Sequence, residues 1–204
     1  RNVSAWLPVR SFIVDGTPPT VGLSTPTAGG YVKDLPSIAG TAYGDASGLK
    51  TQAANGVRVR LYYVDGGDNY YWTGTAWSSN TVTQLIPAYA VTPGTQTWTL
   101  PNGLSLPLAA QMDESHNPFR IAVDAQDNAG NLSAGAPLQF SLDKTVGPIA
   151  ITVPVNGEYY GGAGDGASFA SRVLSTLTGT AQDTGPSAIQ RVEVQIREGA
   201  LNYW

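Results

Sequence analysis

The segment Val57-Arg-Val-Arg-Leu-Tyr-Tyr63 alternates apolar and polar side chains with a period of two. Val57, Val59, Leu61 and Tyr63 fall on one side of this alternation. A period of two is typical of a β-strand that buries one of its faces. The same pattern returns near the other end of the chain as Val192-Glu-Val-Gln-Ile196.

Other motifs also return in the same order. Phe12-Ile-Val-Asp15 recurs as Phe140-Ser-Leu-Asp143, and Gly40-Thr-Ala-Tyr-Gly-Asp45 recurs as Gly179-Thr-Ala-Gln-Asp183. Self-similarity of this kind is the signature of a repeat protein. We therefore expect the terminal strand of a preceding repeat plus a junction at 1–15, a complete repeat at 16–143, and the first part of the next repeat at 144–204.

The composition favours an all-β protein. The 204 residues include 24 Gly and 14 Pro, which indicate many short strands joined by tight turns. Charged residues make up 13% and the net charge is −4, so no basic stripe is available and nucleic acid is not an expected partner. The absence of cysteine excludes disulfides and thiolate metal sites. No apolar run is long enough for a membrane span.

Turn signals such as Asp65-Gly-Gly-Asp68 and Asp127-Asn-Ala-Gly-Asn131 separate the alternating segments. Seven or eight short antiparallel strands over this length predict a two-sheet sandwich. In the complete repeat we expect strands near 20–24, 36–42, 57–64, 69–72, 76–79, 96–100, 118–125 and 136–143. In the following repeat we expect strands near 148–153, 173–181 and 190–197.

The order of these motifs resembles that of the bacterial immunoglobulin-like repeats of large surface and secreted proteins. The resemblance rests on Asp15-Gly-Thr-Pro-Pro19, Gly40-Thr-Ala-Tyr-Gly-Asp45, Tyr70-Tyr-Trp-Thr-Gly-Thr-Ala-Trp77 and Ile121-Ala-Val-Asp-Ala-Gln-Asp-Asn-Ala-Gly-Asn131. It implies tandem Ig-like antiparallel β-sandwiches, located extracellularly or at the cell surface. The implied partners are neighbouring repeats or other copies of the same protein. Such modules serve many functions, so the resemblance specifies the fold more closely than the activity.

No catalytic constellation is evident in the sequence. The only histidine, His116, lies beside Asp113, Glu114 and Ser115 in a polar stretch. Adjacent residues in a loop cannot converge on one reacting atom as a catalytic triad does, and no Gly-x-Ser-x-Gly motif is present. We therefore expect no catalytic residues and no enzymatic activity.

The side chains best suited to a metal ion are oxygen donors that follow predicted strands. Calcium prefers clustered carboxylate and amide oxygens, but the same residue types are also needed to build a tight turn. The turn is the favoured interpretation, so no metal site or cofactor is expected, and calcium is the alternative. The residues concerned are Asp124, Asp127, Asn128 and Asn131, together with Asp15 and Asp143, which end the last strand of each repeat.

Aromatic side chains at Tyr70, Tyr71, Trp72 and Trp77 are candidates for ligand binding, because flat rings can stack on sugars such as cell-surface glycans. The pair recurs as Tyr203-Trp204. Recurrence is also what core packing would produce, so both interpretations stay open.

Strand ends at the repeat boundaries are candidates for pairing between units. Phe12 and Val14 match Phe140 and Leu142, and Asp15 matches Asp143. An unpaired strand leaves its backbone donors and acceptors available to a partner. We expect these six residues at inter-domain or strand-pairing contacts.

Two hypotheses follow for the function. The first is a non-catalytic structural or adhesive module of an extracellular repeat protein, which forms a stalk or filament on the bacterial surface. The alternative is a carbohydrate-binding accessory module of a secreted hydrolase.

Overall fold

The computed structural model describes residues 10–79, 82–87, 94–100, 106–157, 160, 174–198, 202 and 203. The chain divides into two compact units, Arg1–Leu142 and Asp143–Trp204. The fold is all-β, as the composition predicts. The helical segments among the described residues are single 3₁₀ turns at Gln52–Ala54, Ala109–Gln111 and Glu114–His116.

Ten strands lie among the described residues of the first unit. Each of the eight strands expected between residues 20 and 143 coincides with one of them, whereas β2 and β9 were not expected. The strands are β1 Thr20–Thr25, β2 Tyr31–Val32, β3 Ile38–Gly44, β4 Val57–Asp65, β5 Asp68–Trp72, β6 Trp77–Ser78, β7 Gly94–Leu100, β8 Phe119–Gln126, β9 Leu132–Ala134 and β10 Leu138–Leu142.

These strands form two sheets. The smaller has the order β1-β3-β7 and is antiparallel throughout. The larger has the order β2-β10-β8-β4-β5-β6, and β9 pairs with β8. Only the pairing of β10 with β2 is parallel among the pairs described.

Both sheets contribute to one hydrophobic core. The inward face of β4 carries Val57, Val59 and Leu61, each fully buried. The smaller sheet supplies Ile38 and Trp98, with exposed fractions of 0% and 1%. The alternation that predicts the strands therefore also predicts which of their side chains enter the core.

Residues 10–19 form no strand, and residues 1–9 lie outside the described part of the chain. Phe12 and Val14 are 85% and 81% exposed, whereas the matching Phe140 and Leu142 are fully buried in β10. A strand requires a neighbour that accepts and donates its backbone hydrogen bonds. For residues 10–15 the described residues supply no such neighbour, so the expected terminal strand is absent there.

The second unit contains β11 Ile149–Val153, β12 Thr178–Ala181, β13 Arg197–Glu198 and β14 Asn202–Tyr203. β11 pairs with β12, and β13 with β14. The prediction of a strand over 190–197 is wrong for residues 190–196, which are irregular. In the first unit the matching strand β4 pairs with β8. No counterpart of β8 lies within the described residues of the second unit, so 190–196 lack that partner.

The repeated Gly-Thr-Ala motif has a packing explanation. A β-carbon at Gly40 would collide with the carbonyl oxygen of Gly22 in β1 and with the Trp98 ring. At Gly179, the matching position in β12, it would meet the carbonyl oxygen of Ala150 in β11. Glycine is therefore required where the first two long strands of each unit approach closely.

We predict that Gly40→Ala destabilises the first unit by about 1–3 kcal/mol, since neither a backbone oxygen nor a buried indole can move aside cheaply. The measurement is the midpoint of chemical unfolding. Gly16→Ala is the matched control, because its β-carbon would meet nothing within 4 Å. Equal stability of the two variants would contradict the packing explanation.

Candidate metal centre

Three acidic residues come together at one end of the first unit. Asp45 directly follows β3, Asp127 directly follows β8, and Asp15 lies in the segment that precedes β1. The two turns are joined by the Asn128 side chain, whose Nδ2 donates to the Ser47 carbonyl at 2.8 Å and the Leu49 carbonyl at 3.3 Å. The two sheets therefore bring together acids that are far apart in sequence.

The carboxylates face a common point. One oxygen from each of Asp15, Asp45 and Asp127 lies within 4.8 Å of the others. Asp127 is fully buried, and both of its oxygens accept hydrogen bonds of 2.8 Å from Asn131, one from the backbone and one from the side chain. Asn131 Nδ2 also donates to the Asp15 carbonyl oxygen at 3.1 Å. Asn131 thus connects the turn after β8 to the segment before β1.

Within the described residues, no ion pair balances the charge of this cluster. In the described part of the chain, the ion pairs of the first unit involve Asp124, and none involves the three clustered acids. The nearby Ser47 side chain and, second, the Thr17 backbone N–H lower the pKa of Asp15, so this group is ionised at neutral pH. Like charges a few ångströms apart repel, and burial strengthens the repulsion.

Several oxygens of the cluster lack partners. Asp15 Oδ2, Asp45 Oδ1 and Ser47 Oγ are enclosed, and although the Ser47 side chain lies near Asp15, none of the three atoms forms a hydrogen bond of good geometry among the described residues. Calcium binds six to eight oxygens at about 2.3–2.6 Å, so two of its ligands lie at most about 5 Å apart. The observed 4.8 Å limit satisfies this condition. The three acids therefore fit a hard divalent cation.

The second unit repeats some of this arrangement. Asp143 and Asp183, which match Asp15 and Asp45, both contact Ser187. The Ser187 backbone N–H donates to Asp143 Oδ2 at 3.1 Å, and its hydroxyl donates to Asp183 Oδ2 at 3.3 Å. The repeat thus preserves both the acids and their convergence on one turn.

The structure brings some of the metal-binding candidates predicted from the sequence together and separates others. Asp15 and Asp127 belong to the cluster and Asn131 donates hydrogen bonds to Asp127, whereas Asp124 lies on the outward face of β8 beside Arg58. Asn128 supports the turns as described above. Asp45 was not among the candidates, although the recurrence of an acid after the Gly-Thr-Ala motif marks it.

The aromatic candidates for ligand binding pack largely against the core. Trp72 is 1% exposed and lies edge-on to Trp77, with 5.2 Å between ring centroids. Trp77 Nε1 donates to the Gln111 carbonyl oxygen at 2.7 Å. Tyr70 stacks on the buried Tyr63 at 5.1 Å. Tyr71 instead lies on the outward face of β5 and pairs with Tyr62 at 5.2 Å. The Trp72 ring is therefore not available to a surface ligand.

The residues around His116 take structural roles. The imidazole stacks on the Tyr63 ring, with centroids 4.0 Å apart. Asp113 accepts a hydrogen bond from the Ser115 backbone N–H at 2.9 Å and so caps the 3₁₀ turn that follows. The imidazole and the carboxylate thus make a packing contact and a capping contact, respectively.

Comparison with known proteins identifies no family for the chain. No protein-family model matches it, and no curated protein shows significant similarity to it. Within the described residues, no helix is long and apolar enough to cross a membrane.

Because Trp72 is buried, we predict that Trp72→Ala lowers the free energy of unfolding of the first unit by about 3–5 kcal/mol, as expected for deletion of a core aromatic. Chemical unfolding followed by circular dichroism measures the change. Tyr31→Ala removes a ring that is 54% exposed and should change stability little. A Trp72→Ala variant as stable as Tyr31→Ala would show that the ring does not support the core.

Calcium should raise the melting temperature of the first unit. At a concentration about 100-fold above the dissociation constant, a ligand that binds only the folded state raises Tm by roughly 5–10 °C in a domain of this size. The measurement compares melting in calcium and in chelator. Asp45→Asn should abolish the shift, whereas Asp68→Asn, an exposed acid outside the cluster, should retain it.

Proposed function

We propose that this chain belongs to a non-catalytic structural and adhesive repeat protein of the extracellular space or bacterial surface. In this proposal, calcium at Asp15, Asp45 and Asp127 fixes the segment that enters each Ig-like domain. The observation that carries the proposal is the convergence of these acids from the entry segment and from two turns of the domain. A cation bound by these acids would fix the entry segment to the domain that follows it.

The strand order supports an Ig-like sandwich. The larger sheet places the last strand, β10, beside β8, then β4, then β5, while β1, β3 and β7 form the opposing sheet. The beginning of the domain pairs with both sheets, since β1 pairs with β3 and β2 pairs in parallel with β10. This is the order of strands G, F, C and C′ facing A, B and E in immunoglobulin domains.

The chemistry of the site suits the extracellular environment. Three carboxylates that form no ion pair with any described residue match the weak calcium sites of extracellular modules, with dissociation constants of about 10⁻⁴–10⁻³ M. A site of this affinity is filled where calcium is millimolar. The absence of cysteine means that a cation, and not a disulfide, would provide the crosslink.

The repetition of the motif supports a structural role over the alternative of an accessory carbohydrate module. Asp143 and Asp183 match Asp15 and Asp45 and lie close enough to share the hydrogen-bonding partner Ser187, which is expected when every junction is built alike. The tryptophans of β5 and β6 present little free ring surface to a sugar, because Trp72 is buried and Trp77 is hydrogen-bonded to the main chain. Partners of the module would be neighbouring repeats of the same protein.

The proposal predicts that calcium orders the entry segment. Hydrogen exchange of the Thr17 amide, which donates to Asp15 Oδ1 at 3.0 Å, should slow by at least tenfold in calcium relative to chelator. Asp45→Asn should remove this protection, whereas Asp68→Asn should not. Exchange of the Val59 amide, which is held by the Leu85 carbonyl oxygen in the core, provides an internal reference.

Unchanged exchange at Thr17, together with an unchanged melting temperature, would contradict a cation at the junction. Slowed exchange at Thr17 and at Val59 by the same factor would indicate general stabilisation of the domain. It would count against a specific role at the entry segment.

A further inference from the structure

The outward face of the larger sheet carries a concentration of positive charge. The cross-strand register of β4 and β8 pairs Arg58 with Asp124, Arg60 with Ala122, and Tyr62 with Arg120. Three arginines and a single carboxylate therefore share this face, in a chain whose acidic residues outnumber its basic ones by 15 to 11. We call Arg58, Arg60, Arg120 and Tyr71 the arginine face.

The protein uses little of the hydrogen-bonding capacity of these arginines. Arg60 Nη2 lies 3.1 Å from Asp124 Oδ1, and Arg58 Nη2 lies 3.9 Å from Asp124 Oδ2. Arg120 forms no ion pair within the portion of the chain that the structure describes. The Nε atoms of all three arginines are enclosed and have no hydrogen-bond partner among the described residues. One carboxylate cannot satisfy three guanidinium groups.

The alternating sequence pattern does not require these charges. In the repeated segment, Val57, Val59 and Leu61 match the apolar residues Val192, Val194 and Ile196, so the alternation is retained, although residues 190–196 form no strand. Arg58 and Arg60, by contrast, match Glu193 and Gln195. The polar positions of the same pattern are thus two arginines in one repeat and a glutamate and a glutamine in the other.

The geometry points to an acidic polysaccharide as the partner of this face. We propose that the arginine face binds sugar chains that carry carboxylate or sulfate groups. Guanidinium groups recognise both oxyanions with paired, charge-assisted hydrogen bonds. Arg58 and Arg60 are two residues apart on one strand, which spaces them by about 7 Å, and Arg120 lies on the neighbouring strand. Regularly spaced oxyanions along a polymer can engage such a row.

Tyr71 helps to distinguish a polysaccharide from an acidic peptide. Tyr62 pairs across the strands with both Arg120 and Tyr71. Because Tyr62 is itself buried, the half-buried Tyr71 ring is the aromatic surface that this face can offer to a sugar ring. The arginines lie on inner strands of the sheet, away from a free edge, so a peptide could not add to the sheet there through its backbone.

This inference goes beyond the proposed function and does not depend on the acidic cluster. The test therefore uses the full chain in chelator, which removes any contribution from a bound cation. The immobilised probes are polygalacturonate, dextran sulfate, neutral dextran and poly-L-glutamate. Binding should occur to one or both acidic polysaccharides and weaken with added salt, because exposed charges are screened. The carboxylated and sulfated probes identify which oxyanion is preferred.

Arg120→Gln should weaken binding about tenfold, the effect of losing one charge-assisted contact. This substitution breaks no ion pair of the described structure, so the variant should melt like the parent chain. Arg191→Gln removes the same charge from an exposed pair in the second unit and should leave the dissociation constant within about twofold. A variant with Arg58, Arg60 and Arg120 all changed to Gln should bind at least about 100-fold more weakly if it remains folded.

Equal binding by Arg120→Gln and the parent chain would overturn the assignment of this face. Equal binding to neutral dextran, or failure to bind either acidic polysaccharide, would overturn the ligand class. Binding to poly-L-glutamate as tight as to polygalacturonate would point to an acidic protein instead. Retained polysaccharide binding with no calcium-dependent melting shift would reject the cation centre alone.

Discussion

The antiparallel pairing of β4 with β8 is the constraint on which the rest of the first unit depends. Its register places Val57 opposite Ala125 and Val59 opposite Val123, and these residues form the centre of the core. Because successive side chains point to opposite faces, the same register places Arg58 and Arg60 on the outside. A slip of one residue would exchange the two faces, so core and charged surface are specified by a single ladder.

The point at which the pairing of β4 with β8 ends also determines where the acidic cluster forms. β8 stops at Gln126, and the turn that follows buries Asp127 completely under hydrogen bonds from Asn131. A buried carboxylate is costly unless its surroundings favour the charged form. Hydrogen bonds from Asn131 meet some of this requirement, and a cation shared with Asp15 and Asp45 would meet the rest. Asp127 can therefore both form the turn and bind a cation, with Asn131 holding its carboxylate in place.

Most of the first unit follows from its sequence because alternation reports burial directly. The pattern over 57–64 locates β4 and its buried side chains, yet the same pattern over 190–196 forms no strand. The alternation predicts which face a strand would bury. It does not predict whether a neighbouring strand is present to pair with it. The acidic cluster was harder to predict from the sequence, for a related reason. Asp15, Asp45 and Asp127 are separated by long stretches of chain, and their proximity depends on the sheets that bring their turns together.

The parallel pairing of β2 with β10 has a mechanical consequence. The residues that lead into β2 extend this pairing: Gly29 N–H donates to the Gln139 carbonyl oxygen, and Ser141 N–H donates to the Gly30 carbonyl oxygen. Since β2 lies near the start of the domain and β10 ends it, tension applied through the two chain ends pulls these parallel strands past each other. The bonds then bear the load together, in shear, and must break at nearly the same moment. Antiparallel strands pulled from the ends of a hairpin would instead unzip, with their hydrogen bonds breaking in sequence.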